Sequence, residues 1–227
     1  MTADDRADDY YTRWAALYDQ VARRTPGITA LRRAVIRALN PPSGGIVVEM
    51  GCGPGPNFPS MRKAVGAEGV VVGIDVACGA LSRAARMVDR RGWETVHPIR
   101  GDATRPPIVD ADAVLATFVV GMFEDPAGVV DEWCELVGPG GRIGLLHFSR
   151  SDRWHAPLSN AALDLLVTIS TPGAIRYRRG RSRRLDRRVT AGTNRLTERC
   201  EDVETTRAWG GLIRIDSGTV TDDSATP

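Results

Sequence analysis

The sequence predicts an α/β fold built on a mostly parallel sheet with helices packed on both faces. Three observations carry this. From Ile46 onward, short runs rich in Val and Ile recur, each followed by Gly or Asp and then by a segment of helical periodicity, which is the pattern of strands buried on both faces and joined by crossover helices. Before Ile46, apolar residues recur at helical rather than strand spacing. The chain has 227 residues, 42% of them apolar and 26% charged, which suits one soluble domain with its own core better than two.

Residues 1–9 are polar and acidic. Tyr10, Trp14, Leu17, Tyr18 and Val21 then fall on one face of a helix, and Ile28, Leu31, Val35 and Leu39 on one face of a second, which Pro41-Pro42 and Gly44-Gly45 end. Strands are expected at Ile46–Met50, Val70–Ile74, Thr95–Ile99, Ala113–Phe118 and Arg142–Phe148, with helices between them at Ser60–Val65, Gly79–Arg90 and Gly128–Val137. Pro157 suits a first helical position, with Leu158, Ala161, Ala162, Leu165, Leu166 and Ile169 following at helical spacing until Thr171-Pro172-Gly173. Next, residues 176–188 hold eight Arg against one acid, Asp186. A helix near Val189–Cys200 and β-like segments at Asp202–Trp209 and Leu212–Ser217 follow, and residues 218–227 read as a flexible tail.

Composition removes several chemistries. Of 30 basic residues only Lys63 is a lysine. It lies between Arg62 and Ala64, so a P-loop is absent, and the position four residues before it is Pro59, not the Tyr of a short-chain dehydrogenase. A Schiff-base enzyme would depend on this one amine. The cysteines at 52, 78, 134 and 200 and the histidines at 97, 147 and 155 have no metal-ligand spacing. The acidic start and the lack of an apolar stretch long enough to span a bilayer lead to an expected cytoplasmic location.

An open parallel sheet binds ligands at the carboxyl ends of its strands. The first strand runs there into Glu49-Met50-Gly51-Cys52-Gly53-Pro54-Gly55. Alternate glycines permit a tight turn and close backbone approach, with amide groups offered near the mouth of the next helix. The third glycine comes one residue too early for a dinucleotide fingerprint, and position 56 is Pro. A carboxylate beside the loop would repel a pyrophosphate and suits an ammonium or sulfonium. That chemistry describes S-adenosylmethionine. Asp75, 20 residues after Gly55, can accept from both ribose hydroxyls, with Val76 beside it. Asp102-Ala103 offers an acceptor and an amide to an adenine ring, and Thr117-Phe118 a small polar group and an aromatic wall near the sulfonium. Asp75 and Asp102 also fit helix N-caps.

Together with Gly138-Pro139-Gly140-Gly141, these residues resemble the class I S-adenosylmethionine-dependent methyltransferases, in particular the ubiquinone and menaquinone C-methyltransferase group, over roughly residues 10–217. The resemblance implies a three-layer, Rossmann-like, mostly parallel seven-stranded sheet, with N-terminal helices and a helical cap insertion. The last two strands would form an antiparallel edge pair, strand seven lying between five and six. It divides a single domain, 1–217, into N-terminal helices (10–40), a cofactor-binding core (45–148), a cap (149–188) and a C-terminal helix with the strand pair (189–217). The expected cofactor contacts are Glu49, Gly51, Cys52, Gly53, Gly55, Asp75, Val76, Asp102, Ala103 and Thr117. Pro56 and Pro59 depart from the family pattern and move the expected start of the next helix to near Pro59.

Catalytic candidates are His147 near the end of the fifth strand, His155 at the start of the cap, and Tyr18, which matches a family Tyr-Asp but also fits simple core. The expected reaction is methyl transfer to a small, apolar or aromatic acceptor. Alternatives are a non-catalytic S-adenosylmethionine sensor or scaffold, and an RNA methyltransferase. The latter is disfavoured, since Thr-Phe-Val-Val after the fourth strand is not the signature of base amino-methylases. The Arg176–Arg188 run fits a solvated face, an anionic substrate or membrane surface, or a phosphate backbone.

Overall fold

The computed structural model describes residues 27–150 and 181–222, and the side chains of 181–183 fall outside that description. The helices expected around Tyr10–Val21 and Leu158–Ile169 lie outside the described residues, as do Tyr18 and His155. Helix α1 spans Ile28–Leu39 and turns Ile28, Leu31, Val35, Ile36 and Leu39 inward, together with one cation, Arg32. Asn40, at a left-handed φ of 45°, closes it.

The alternating part of the chain comprises β1 (Ile46–Met50), α2 (Phe58–Val65), β2 (Val70–Asp75), α3 (Cys78–Arg91), β3 (Val96–Arg100), β4 (Ala113–Thr117), α4 (Pro126–Val137) and β5 (Arg142–Phe148). The expected elements are all present, and the differences lie at their ends. Helix α2 begins at Phe58, before Pro59 rather than at it, because a proline in the first turn gives up only an N–H that has no helical partner there. Helix α4 begins at Pro126, since the Asp125 carboxylate accepts from the Gly128 amide and caps it. Strand β4 ends at Thr117 because Phe118 takes a left-handed φ of 60°.

After β5 the next described element is α5 (Arg181–Arg199), followed by β6 (Cys200–Ala208) and β7 (Ile213–Val220). Helix α5 starts eight residues earlier than the sequence suggested, so five of the eight arginines of the run are helical. Leu185 and Val189 explain this: they extend the buried stripe of Leu196 and both pack at Gly121. Strand β7 runs three residues into the expected tail, where Val220 exchanges backbone hydrogen bonds with Gly140 and Gly141 at 2.8 Å each.

The seven strands lie in the order β3-β2-β1-β4-β5-β7-β6. The first five are parallel, and β7 pairs antiparallel to both β5 and β6. One core packs α1, α2 and α3 against Val47, Val71, Leu115 and Leu146. The other packs α4 and α5 against Val48, Ile74, Val114, Ile143 and Leu145. Side chains alternate between these faces, so Glu49 and Thr117 belong to the α1–α3 side. The order reverses between β1 and β4, which makes the carboxyl ends of those two strands the topological switch point.

Candidate active site

The glycine loop leaves β1 at this switch point. Gly51, Gly53 and Gly55 all have positive φ, between 54° and 73°. A Cβ on Gly51 would press against Val119 at 2.8 Å, and one on Gly55 against Phe58 at 2.7 Å. A Cβ on Gly53 would meet nothing within 4 Å among the described residues, so none of them covers the backbone at this position.

Few loop amides remain for a ligand. The Cys52 amide donates to the Ile74 carbonyl at 3.0 Å, Gly55 to the Cys52 carbonyl at 3.0 Å, and Gly53 to Asp75 Oδ2 at 2.8 Å. Pro54 and Pro56 have no N–H. The expected cradle of amide donors is therefore largely spent, two of them on the end of β2 and one within the loop. The Cys52 thiol is buried in the α1–α3 core, and burial, reinforced by the Glu49 and Asp75 carboxylates, pushes its ionisation well up. Cys52 thus holds the loop from beneath, with its thiol, amide and carbonyl all engaged.

Glu49 is fully buried and lies in a polar cluster that crosses four elements. Asn57 Nδ2 donates to Glu49 Oε1 and lies 3.1 Å from Thr117 Oγ1; Thr117 Oγ1 donates to the same Oε1 at 3.1 Å. From α1, Arg32 Nη1 donates to Asn57 Oδ1 at 3.1 Å. Glu49 Oε2 is buried with no hydrogen-bond partner among the described residues. Burial pushes the Glu49 carboxyl up to about 7; Asp75 adds to the rise, while Asn57, Arg32 and Thr117 oppose it.

Asp75 ends β2 with Oδ1 accepting from the Ala77 amide at 2.9 Å and Oδ2 from Gly53. It is not the N-cap of α3, a position taken by Ala77. Burial raises its carboxyl above the ordinary range, against the hydrogen bonds from Ala77, Gly53 and Val76. Each oxygen retains a second lone pair. Val76 beside it is 41% exposed, an apolar surface at the rim. Asp102, exposed after β3, accepts from the Thr104 amide at 2.9 Å. Ala103 is buried, its carbonyl accepting from Trp133 Nε1 at 2.8 Å. The parallel register aligns the ends of β3, β2, β1 and β4, so all these groups share one edge of the sheet.

His147 is set apart from them. It shares the face of Ile143 and Leu145, opposite Glu49, and its Nε2 lies 2.9 Å from Asp216 Oδ2. Burial alone would raise the Asp216 carboxyl, but hydrogen bonds from His147, Thr205 and Arg214 outweigh it and hold the carboxyl below its ordinary value. This is a buried network joining β5, β6 and β7. Sequence reasoning missed it, along with Arg32 and Asn57. A charged residue on the apolar stripe of α1 was the available signal for Arg32; for Asn57, its place between Pro56 and Phe58-Pro59 was a weaker one.

A glycine loop at the switch point, a buried carboxylate with one free oxygen and a second carboxylate at the end of the next strand together define a nucleotide-type site suited to a cationic ligand. The comparisons with known proteins agree. Residues 47–141 match the family model described as a methyltransferase domain. The chain is 31% identical over 150 residues to phosphatidylethanolamine N-methyltransferase of Cereibacter sphaeroides, covering 64% of this chain and 70% of that protein. It is 31% identical over 137 residues to nocamycin O-methyltransferase of Saccharothrix syringae, covering 60% of this chain and about half, 48%, of that relative. Demethylmenaquinone methyltransferases are also among the relatives. An S-adenosylmethionine-dependent methyltransferase from Aquifex aeolicus superposes with a TM-score of 0.60 at 16% identity, over 91% of this chain and 98% of that one, a likeness of fold alone. The chain belongs to the class I S-adenosylmethionine-dependent methyltransferases.

Proposed function

We propose that the protein transfers the methyl group of S-adenosylmethionine to a small, apolar or aromatic acceptor. The buried Oε2 of Glu49 beside the glycine loop, without a partner among the described residues, carries the reading: leaving a buried polar atom unpaired is costly, and a cationic ligand group supplies the missing donor. Asp75 would hold the ribose hydroxyls, Val76 the adenine face, Asp102 and Ala103 the adenine edge, and Gly53 would let the backbone approach closely.

S-adenosylmethionine brings a methyl group on an already activated leaving group. The protein's part is then to align the two partners and exclude water. His147 supplies no general base to the site, being turned to Asp216 on the other face of the sheet. An apolar acceptor is supported by Met122, 50% exposed just beyond β4, and by Phe118, whose ring stacks on Phe148 with centroids 4.8 Å apart. The relatives' names, aklanonic acid and phosphatidylethanolamine among them, supply no single acceptor. Exposed Arg184 and Arg187 on α5 favour an anionic acceptor or membrane surface nearby.

The test is a metabolite extract incubated with labelled S-adenosylmethionine and separated into lipid, soluble and nucleic-acid fractions. Label in lipid or small soluble aromatics is expected. Label in nucleic acid, or cofactor binding without any labelled product, would refute the reading in favour of an RNA methyltransferase or a sensor.

A further inference from the structure

We infer that Asn57 is a positioning residue for cofactor binding: held by Arg32, its side-chain amide clamps one oxygen of Glu49 and leaves the other as the acceptor for a cationic group of the cofactor. The inference rests on the methyltransferase reading and adds a residue that lies between the glycine loop and α2. Three observations support it.

Asn57 occupies the N-cap position of α2, where an asparagine ordinarily turns its side chain onto the first turn of the helix. Here the side chain makes no capping bond. It is fully buried and turned toward β1 and β4. The network also fixes which way the amide points. Arg32 can only donate and the Glu49 carboxylate can only accept, so Oδ1 must meet the guanidinium and Nδ2 the carboxylate. Arg32 is the one buried cation on α1's apolar face, a costly placement that is offset only where its charge and donors are used.

Both Asn57 and Thr117 bind Oε1, so the carboxylate's orientation is fixed while Oε2 stays bare among the described residues. The ionised form of Glu49 depends on these donors. The titratable and charged groups around it among the described residues are Arg32 from α1, Asp75 from the end of β2, and the Cys52 thiol in the loop. Only Arg32 favours the carboxylate, and Asn57 supplies the largest favourable contribution of any neighbour. Before a ligand arrives, Glu49 is poised near neutrality, about 7. A cationic ligand group at Oε2 requires the ionised form, so affinity must fall as pH drops below that value.

Calorimetric titration of the full chain with S-adenosylmethionine between pH 6 and 9, in two buffers of different ionisation enthalpy, tests this on wild type, E49Q, N57A and T117V, with thermal unfolding as the check of folding. Wild-type affinity should drop about tenfold between pH 8 and pH 6, as protonation competes with binding, and the profile of E49Q should be weak and lack this drop. The N57A profile should be displaced to higher pH, its deficit against wild type being larger at pH 6.5 than at pH 9, and T117V should move the same way by less. An equal loss at every pH, or no loss, would show that Asn57 only shapes the loop and would overturn the proposal. If N57A does not fold, T117V and the wild-type difference from E49Q decide: a flat difference also overturns it. Wild type that binds no cofactor at any pH would instead overturn the methyltransferase reading itself.

Discussion

Glu49 should make the ligand-free protein less stable as pH rises through neutrality, and the substitution Glu49→Gln should remove that dependence. Its carboxyl stands at about 7 in the folded chain against 4.5 for an ordinary glutamate. A group whose value is raised by folding binds more protons folded than unfolded between those two limits. Its contribution is therefore fully present below about pH 4.5 and is lost as pH climbs through 7. At roughly 1.4 kcal/mol per pH unit, the loss comes to about 3 kcal/mol, a sizeable part of a typical domain's stability. Glutamine keeps an oxygen for Asn57 and Thr117 and places an unpaired N–H where Oε2 lies. That costs about 1–3 kcal/mol, but the cost is the same at every pH because glutamine does not titrate. Urea unfolding of both proteins without cofactor, at intervals from pH 4.5 to 8.5, isolates the effect, since groups common to both largely cancel in the difference. The wild-type curve should fall by about 3 kcal/mol relative to that of E49Q across this range. Parallel curves would mean that folding leaves the Glu49 carboxyl at its ordinary value, and the account of a desolvated, poised carboxyl would be wrong.

Other expectations follow from the same geometry. Gly53→Ala should cost only about 1 kcal/mol of stability, since its Cβ meets nothing and the strain is one left-handed residue, yet it should weaken cofactor affinity by more; Gly51→Ala, which clashes with Val119, should lower stability as well. Comparison of melting and titration data separates the two. Asp75→Ala should reduce cofactor affinity by about 1–3 kcal/mol, read by calorimetry, and unchanged affinity would mean that the ribose site is elsewhere. Asp216→Ala should cost about 3–5 kcal/mol of stability by stranding His147 and Arg214, measured by urea unfolding. Because its folded value is depressed, the stability from Asp216 is present above the unfolded value and should be lost as pH falls through the lower, folded one. Reversing Arg184 and Arg187 to Glu should abolish sedimentation with anionic vesicles while leaving that with zwitterionic vesicles unchanged, if this face contacts a charged surface.

The central strands β1, β4 and β5 are buried on both faces and leave near-continuous apolar runs, so they were legible within a residue or so; β3, expected to be buried on both faces as well, is instead half-exposed at the edge of the sheet, where only one neighbour, β2, covers it. The ends that shifted are those decided by one residue: Asp125 capping α4, or Phe118 stopping β4 by its left-handed backbone. The start of α5 was obscured by charge. Its arginines read as a surface run, while the helix was set by Leu185 and Val189 packing on Gly121, a contact made 64 and 68 residues away in sequence.

Local periodicity and glycine spacing were enough to determine the α/β class, the family resemblance, and the placing of Glu49, Asp75 and Asp102 at strand ends, because each depends on near neighbours along the chain. What those groups do was decided by tertiary structure. Glu49 meets Thr117 across 68 residues, Asn57 meets Arg32 across 25, and His147 meets Asp216 across 69. Burial raises one carboxyl toward neutrality, and hydrogen bonds from three neighbours lower another. A carboxylate's charge state and its free oxygen depend on which donors and how much water surround it, and that surrounding exists only once distant strands and helices have packed.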